Sequence, residues 1–435
     1  MASSKKSKPK TQAKRIGVAL SGGLDSVVLL DAVSKAYQND VVYALHIHHG
    51  LQAQADEWLL FCERLAKHYG IAFDFRLLHL PITANIEAHA RQARYEALIQ
   101  LCDQHELDHL LFAHHQHDQA ETVLLQLLRG AGPAGLAGMP AHKELQSPGG
   151  RVVQLWRPFL EQDRTQLQAY AKQHKLSWVE DPSNQNTRYR RNAIRKKILP
   201  ELEQIQGGAI ANLARSAQWL AQSQVLIDQL AQHDARTWIN RNQLSIAPLM
   251  ALHHKDPARA NNVVRYWLKR NQLSMPSAER LQSWWRDLKS LRMSGKLEWL
   301  HDRHSIRAWR NTLWIESAQS PKAGQWIFVP IPERSTQAGL SWDYCQQVKT
   351  IEGRPRAGGE RLKIKPNTPS KSLKNLYQEA GVPPWQRQIP LLFMDDELIA
   401  VEGLGVSITH LTTKGPRVWP EWSYLDSVKQ NPVKS

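Results

Sequence analysis

Cysteine is nearly absent from this chain: Cys62, Cys102 and Cys345 are the three in 435 residues, and no two form a CxxC pair. A disulfide framework, a cysteine zinc site and an iron–sulfur cluster are therefore left without support. No run of eighteen or more uncharged apolar residues occurs, so no membrane-spanning helix and no membrane partner are expected. The opening MASSKKSKPKTQAKR lacks the apolar stretch of a secretory signal and reads as a flexible basic arm; because Lys outnumbers Arg there, a transit peptide is the weaker reading. Acidic residues are short relative to basic ones, forty Asp plus Glu against fifty-six Lys plus Arg, for a formal charge of +16 and a pI near 9.7. Such an excess draws polyanions, nucleic acid above all, although charge carried for solubility would look the same.

What is present is the composition of an ordinary folded protein, with 42% hydrophobic residues and a length that suggests about three domains. From Ile16 to about Val179, strand-like runs (RIGVAL, VVYALHI, FDFRLLHL, HLLFA) alternate with helical patterns starting near Ser26, Glu57, Glu87 and Gln119. This predicts an α/β N-terminal domain with a parallel, Rossmann-like sheet, whose ligands sit at the carboxyl ends of the strands. Helical periodicity dominates from about Ala209 to Leu291, followed by paired strands in KLEWLHDRHSIRAWRNTLWIE and a mixed α+β C-terminal section. The expected organisation is a basic arm over 1–14, a catalytic domain over 15–208, a mainly helical domain over 209–330 and a C-terminal domain over 331–435.

The apolar strand IGVAL breaks at Ser21-Gly22-Gly23-Leu24-Asp25-Ser26 before a helix. Unpaired backbone N–H groups at a helix N-terminus favour an anion, two glycines permit close approach, and Ser21 and Ser26 add hydroxyls. There is no GxxxxGK(S/T), so this is not a Walker loop, and a plain tight turn would use the same glycines. In AHHQHDQAETVLLQLLRGAGPAGLAGM, Asp118 and Glu121 lie three apart on a helix start and face the same way. They suit a bound cation, amine or metal, and equally suit helix capping.

The whole string SGGLDS after an apolar strand resembles the signature of the PP-loop ATP pyrophosphatase superfamily. Together with AHHQHDQAETVLL, ALHIHHGLQ, EAHARQARYEAL, DPSNQNTRYRRNAIRKKILP, VVRYWLKR and KSLKNLYQEAGVPPWQRQIPLLF, it closely resembles the tRNA(Ile)-lysidine synthetase family over most of the chain. The resemblance implies that ATP adenylates the C2 oxygen of the cytidine at the first anticodon position of a tRNA(Ile) reading CAU. The ε-amino group of free L-lysine then attacks C2 and expels AMP, in the cytoplasm. It implies ATP held by Ser21, Gly22, Gly23, Leu24, Asp25, Ser26 and His48, with Mg2+ at Asp25, and the lysine ammonium held by Asp118 and Glu121. It assigns Arg94, Arg191 and Arg195 to the phosphates or the RNA, with Arg91 a weaker candidate that a surface salt bridge would equally explain. One departure is plain: His117 stands where the family commonly has a first acid, which leaves Asp118 as the functional carboxylate. His114 and His115 read as packed, hydrogen-bonded residues before phosphate ligands. A homodimer is admitted, not required.

Between Arg188 and Lys197 six of ten residues are basic and none is acidic, and Arg354 to Lys374 holds seven basic residues and one acid. Arg188, Arg190, Arg191 and Arg195 in the first stretch, with Lys371, Lys374 and Arg387 in the C-terminal domain, are candidates for the tRNA backbone, a solvated face being the bland alternative. Thirteen of sixteen tryptophans lie between Trp219 and Trp422, and core packing explains most of them better than base stacking. Three rivals stay open: a PP-loop tRNA thiolase, which the lack of CxxC disfavours; a small-molecule amidating synthetase, which leaves the basic surfaces unexplained; and an RNA-binding protein without catalysis, which leaves Asp118 and Glu121 unexplained.

Overall fold

The computed structural model of the protein describes residues 13–48, 54–78, 86–291, 297–317 and 324–424. Most of the basic arm and the His49-Gly50 pair lie outside the described residues. The chain divides into two compact units, Met1–Gln229 and Leu230–Ser435.

In the first unit, β1 (Arg15–Ala19), β2 (Val41–His48), β3 (Ala72–Leu77) and β4 (His109–Leu111) are each followed by a helix: α1 (Leu24–Ala36), α2 (Ala55–His68), α3 (Ile86–Gln104) and α4 (Gln116–Leu127). The strands and helices match the expected alternation. Each helix starts one to three residues before the periodicity suggested, because the first turn is set by backbone geometry and capping rather than by the apolar period. At α4, His115 is the cap: His117 N–H donates to its Nδ1 at 3.2 Å, and its own N–H donates to Asp118 Oδ2 at 3.1 Å.

The six-stranded sheet has the order β3-β2-β1-β4-β6-β5, with β6 (Val152–Trp156) parallel to β4 and β5 (His142–Gln146) antiparallel at the edge. The periodicity gave no sign of β5, whose HKELQ holds a single large apolar residue; its exposed lysine and glutamate suit a sheet edge. Strand β1 is central, pairing in parallel with β2 on one side and β4 on the other. The chain winds outward from β1 through β3 and then returns to β4, so the order reverses between β1 and β4. That reversal opens a crevice beyond the strand ends, between the β1–α1 and β4–α4 loops.

The two faces are covered separately. Val27 and Leu30 of α1 and Cys62 and Ala66 of α2 pack on one; Ala97, Leu98 and Leu101 of α3 pack with Leu45 and Ile47 on the other. Buried Asp31 ties α1 to its neighbours, accepting hydrogen bonds from Tyr69 at 2.9 Å, Tyr170 at 2.7 Å and Lys35 at 2.7 Å. The unit continues through α5 (Pro133–Leu136), α6 (Arg164–Gln173), α7 (Arg190–Ala193), a π-helical turn over Ile194–Ile198, α8 (Leu199–Ile205) and the start of α9 (Ala209–Asp234).

In the second unit, α10 (Ile246–Lys255), α11 (Pro257–Arg270) and α12 (Ala278–Ser290) share a core with a five-stranded sheet that contains the expected hairpin His304–Trp309/Thr312–Ser317. Trp267, Trp284, Trp285 and Trp299 are buried in it, with Trp284 stacked on Trp299 at 4.7 Å. Of the thirteen tryptophans from Trp219 to Trp422, Trp219 and Trp342 are the two exposed ones, as core packing predicts. The remainder contains two four-stranded sheets, a two-stranded sheet and the helices Trp342–Gln347 and Leu373–Glu379.

Candidate active site

The crevice at the carboxyl ends of β1 and β4 is a cavity of about 770 Å³ lined by Ser21, Gly23, Asp25, Ser26, Arg94, Asp118, Arg191 and Arg195, among others. Residues from four separate stretches of sequence thus converge on one space.

Local chemistry shapes the loop. Gly22 has φ +87°, and a Cβ there would sit 2.9 Å from Val179 Cγ2 and 3.2 Å from Cys62 Sγ. The loop is pinned in this position because Val179 N–H donates to Gly22 O at 3.0 Å. Ser26 donates to Gly23 O at 2.8 Å and accepts from Ser21 N–H at 3.2 Å, with the two hydroxyls 3.1 Å apart. Gly23 opens α1 without a side-chain cap, so the first N–H groups of the helix have no side-chain acceptor from that residue. Asp25 Oδ1 is buried without a hydrogen-bond partner, and its Oδ2 lies 3.5 Å from His115 Nε2.

Asp118 and Glu121 project from the first turns of α4; Asp118 lines the cavity and Glu121 does not. Glu121 is fully buried. Arg191 Nε donates to its Oε2 at 2.6 Å, Arg195 Nε to its Oε1 at 2.5 Å and Arg195 Nη2 to Oε2 at 3.1 Å. Both guanidinia also reach Asp118 Oδ1, at 3.3 Å and 3.2 Å. The two arginines can act together because a four-residue spacing in a helical segment puts them on one side. Burial would raise the Asp118 carboxyl, but His115, Arg191 and Arg195 around it hold it well below the usual range. Burial likewise works against charge on Arg191 and Arg195, and the facing carboxylates more than offset it.

His115 is buried with Nε2 3.5 Å from both Asp25 Oδ2 and Asp118 Oδ2; burial lowers its pKa, and these carboxylates bring it above the ordinary value. Since Nδ1 accepts the α4 cap bond, the proton lies on Nε2, between the two acids. His114 plays a packing part: burial pushes it down to about 3, it accepts from Arg157 Nε at 3.2 Å, and it stacks on Phe112. His117 does not line the cavity; it packs edge-on against His115, 3.9 Å from Asp163, and burial keeps it neutral. Of the His117-Asp118 pair, only Asp118 faces the site.

Arg94 lines the cavity with its Nε buried and unpartnered, and burial with neighbouring Arg91 and Arg191 depresses its pKa. Arg91 lies outside, over the Tyr95 ring and near Met139. His48 lines the cavity and bonds Asp56 at 2.9 Å. Arg188 and Arg190 are exposed beside Tyr189, which lines the cavity. In the second unit, Lys371 pairs with Glu379 at 2.8 Å and Lys374 is exposed, whereas Arg387 folds back on Val382 O at 2.9 Å and over the Tyr377 ring. Sequence reasoning did not single out His46, Val179, Tyr189, Asp181 or Asn192, all of which line the cavity. The last three stand in DPSNQNTRYRRN, where the basic residues dominate the signal.

Among the described residues no three or more His, Cys, Asp or Glu side chains gather as a metal cage, and none of the helices is long and apolar enough to cross a membrane.

Known proteins resemble the chain over most of its length. Residues 2–202 match a family described as PP-loop domain, 244–314 the TilS substrate binding domain and 351–422 the TilS substrate C-terminal domain. The chain is 40% identical to the tRNA(Ile)-lysidine synthase of Ralstonia nicotianae, over 90% of this chain and 88% of the relative. Against that of Burkholderia pseudomallei it is 36% identical, over 94% and 93%. A solved U34-tRNA thiolase, NcsA from Methanococcus maripaludis, aligns with 49% of this chain and 73% of its own at 19% identity and a TM-score of 0.42. With its first unit carrying the PP-loop and its relatives aligned almost from end to end, the chain belongs to the tRNA(Ile)-lysidine synthase family.

Proposed function

We propose that this chain joins free L-lysine to C2 of the cytidine at the first anticodon position of a CAU-reading isoleucine tRNA, at the expense of ATP. The observation that carries the reading is the convergence, in one cavity, of the Ser21–Ser26 loop, three carboxylates (Asp25, Asp118 and Asp181) and three arginines, two of which pair with buried Glu121. In the first step the C2 oxygen of the base attacks the α-phosphorus of ATP and pyrophosphate leaves. In the second, the neutral ε-amine attacks C2, the C2–O bond breaks with release of AMP, and the amine loses its proton.

The residues divide this work by chemistry. Backbone N–H groups around Gly22, Gly23 and Leu24, with the Ser21 and Ser26 hydroxyls, receive the phosphates. Arg94, whose Nε has no partner, supplies a fixed positive charge for them. Asp118 and Glu121 hold the lysine ammonium, and one of the two takes the proton the amine must shed. Mg2+ typically uses one or two carboxylates plus substrate phosphates, and the unpartnered oxygen of Asp25 fits that mode. Bound there, the ion would supply charge neutralisation for the phosphates.

Arg188 and Arg190 in the first unit, and separately Lys374 in the second, are exposed to meet an RNA backbone, whereas Arg387 is taken up by its own loop. The second unit then recognises tRNA features beyond the anticodon, as it must if methionine tRNA with the same CAU is to be refused. A tRNA substrate puts the work in the cytoplasm. The test is incorporation of labelled lysine into an isoleucine tRNA transcript bearing CAU, with ATP and magnesium. Incorporation that needs ATP and spares methionine tRNA is the expected result; none, with tRNA binding and ATP turnover intact, moves the reaction to another modification.

A further inference from the structure

Every carboxylate oxygen that the proposed lysine site offers is already engaged by the protein. Glu121 gives both oxygens to Arg191 and Arg195, at 2.5–3.1 Å. Asp118 gives Oδ1 to the same two guanidinia at 3.2 and 3.3 Å, and Oδ2 to the His115 N–H at 3.1 Å. An ammonium entering here has no unshared acceptor on either acid. Two of the three guanidinia that line the cavity, Arg191 and Arg195, are already paired with these acids, so a further cation competes with them while losing its hydration.

Arg191 and Arg195 line the same cavity as the Ser21–Ser26 loop, and a guanidinium fork binds a phosphate as well as a carboxylate. We propose that these two arginines gate the acidic pair: a polyphosphate on the loop draws them off Asp118 and Glu121, and only then can those carboxylates receive the lysine ammonium. The proposal rests on the reading that lysine binds at these acids. Lysine affinity is then conditional on the nucleotide, and by linkage lysine tightens nucleotide binding by the same factor. The gate orders the reaction, since the amine is seated only when the phosphates it depends on are present. It also gives Glu121 a positioning role, aligning two arginines that it later releases.

The test is equilibrium dialysis of labelled L-lysine with the full chain, alone, with inorganic tripolyphosphate and magnesium, and with a non-hydrolysable ATP analogue and magnesium. Either anion should tighten lysine binding roughly 5–150-fold, the span usual for coupled sites. Lysine should tighten the analogue by an equal factor. In Arg195→Gln, which frees Glu121 Oε1, lysine should bind the chain alone more tightly than the unaltered protein does, and the gain from polyphosphate should shrink. If that variant does not fold, the reciprocal pair of measurements on the unaltered chain decides. Equal lysine affinity with and without polyphosphate overturns the gate and leaves the lysine site standing. Lysine that binds under no condition, while the analogue does bind, overturns the lysine site and the gate with it.

Discussion

Gly22→Ala tests whether the phosphate loop is held by sterics or merely traced by them. Two costs are separable. The φ of +87° is strained for any residue with a Cβ, a penalty of about 1–2 kcal/mol. The new methyl would also approach Val179 Cγ2 to 2.9 Å and Cys62 Sγ to 3.2 Å, an overpacking of about 1–3 kcal/mol. The loop cannot simply drift away, because Gly22 O accepts the Val179 N–H at 3.0 Å and Cys62 is itself fully buried. Together these give roughly 2–5 kcal/mol. It appears either as lost stability in urea unfolding or as weaker ATP binding, tenfold for each 1.4 kcal/mol or so. In a Val179→Ala background the tighter of the two contacts is relieved, and Gly22→Ala should cost less than in the parent, falling toward the backbone penalty of about 1–2 kcal/mol. A Gly22→Ala protein within about 0.5 kcal/mol of the parent and with unchanged KM for ATP would falsify the account of the loop.

Three further outcomes are expected. Glu121→Gln removes the charge that holds Arg191 and Arg195, and should cost about 3–5 kcal/mol of stability as well as lysine incorporation; an unchanged Tm would mean the buried pairs contribute nothing. His114, held neutral with its pKa at about 3, binds fewer protons folded than unfolded, so its contribution is whole above about pH 6.5 and declines as pH falls toward 3. His114→Asn, whose oxygen can still accept from Arg157, should therefore narrow the stability gap between pH 7 and pH 5 by up to about 2 kcal/mol, and parallel pH profiles would rule this out. Trp267→Ala, emptying the most buried tryptophan of the second unit, should lose about 3–5 kcal/mol in urea unfolding; a loss under about 1 would mean the site collapses around the gap.

The order of the first four strands and helices was legible because periodicity is local. RIGVA is apolar at every buried position of a central strand, and SGGLDS is a contiguous string of which Ser21, Gly23, Asp25 and Ser26 line one cavity. The spacing of Asp118 and Glu121 on one helical face was equally local. Strand β5 was not, since an exposed edge strand needs no apolar alternation and draws its bonds from β6.

Tertiary structure alone decided what the candidate residues touch. Nothing in the sequence separations of 70 and 74 residues indicates that Arg191 and Arg195 close on Glu121, or that His115 also lies beside Asp25. Nor could spacing separate Arg94, which enters the cavity, from Arg91, which leans on Tyr95, or assign Arg387 to its own loop carbonyl. The physical reason is one of range. Propensity, capping and glycine conformation act over a few residues and are written in the chain, whereas pairing of charges is settled where a parallel sheet reverses its order and brings distant loops together.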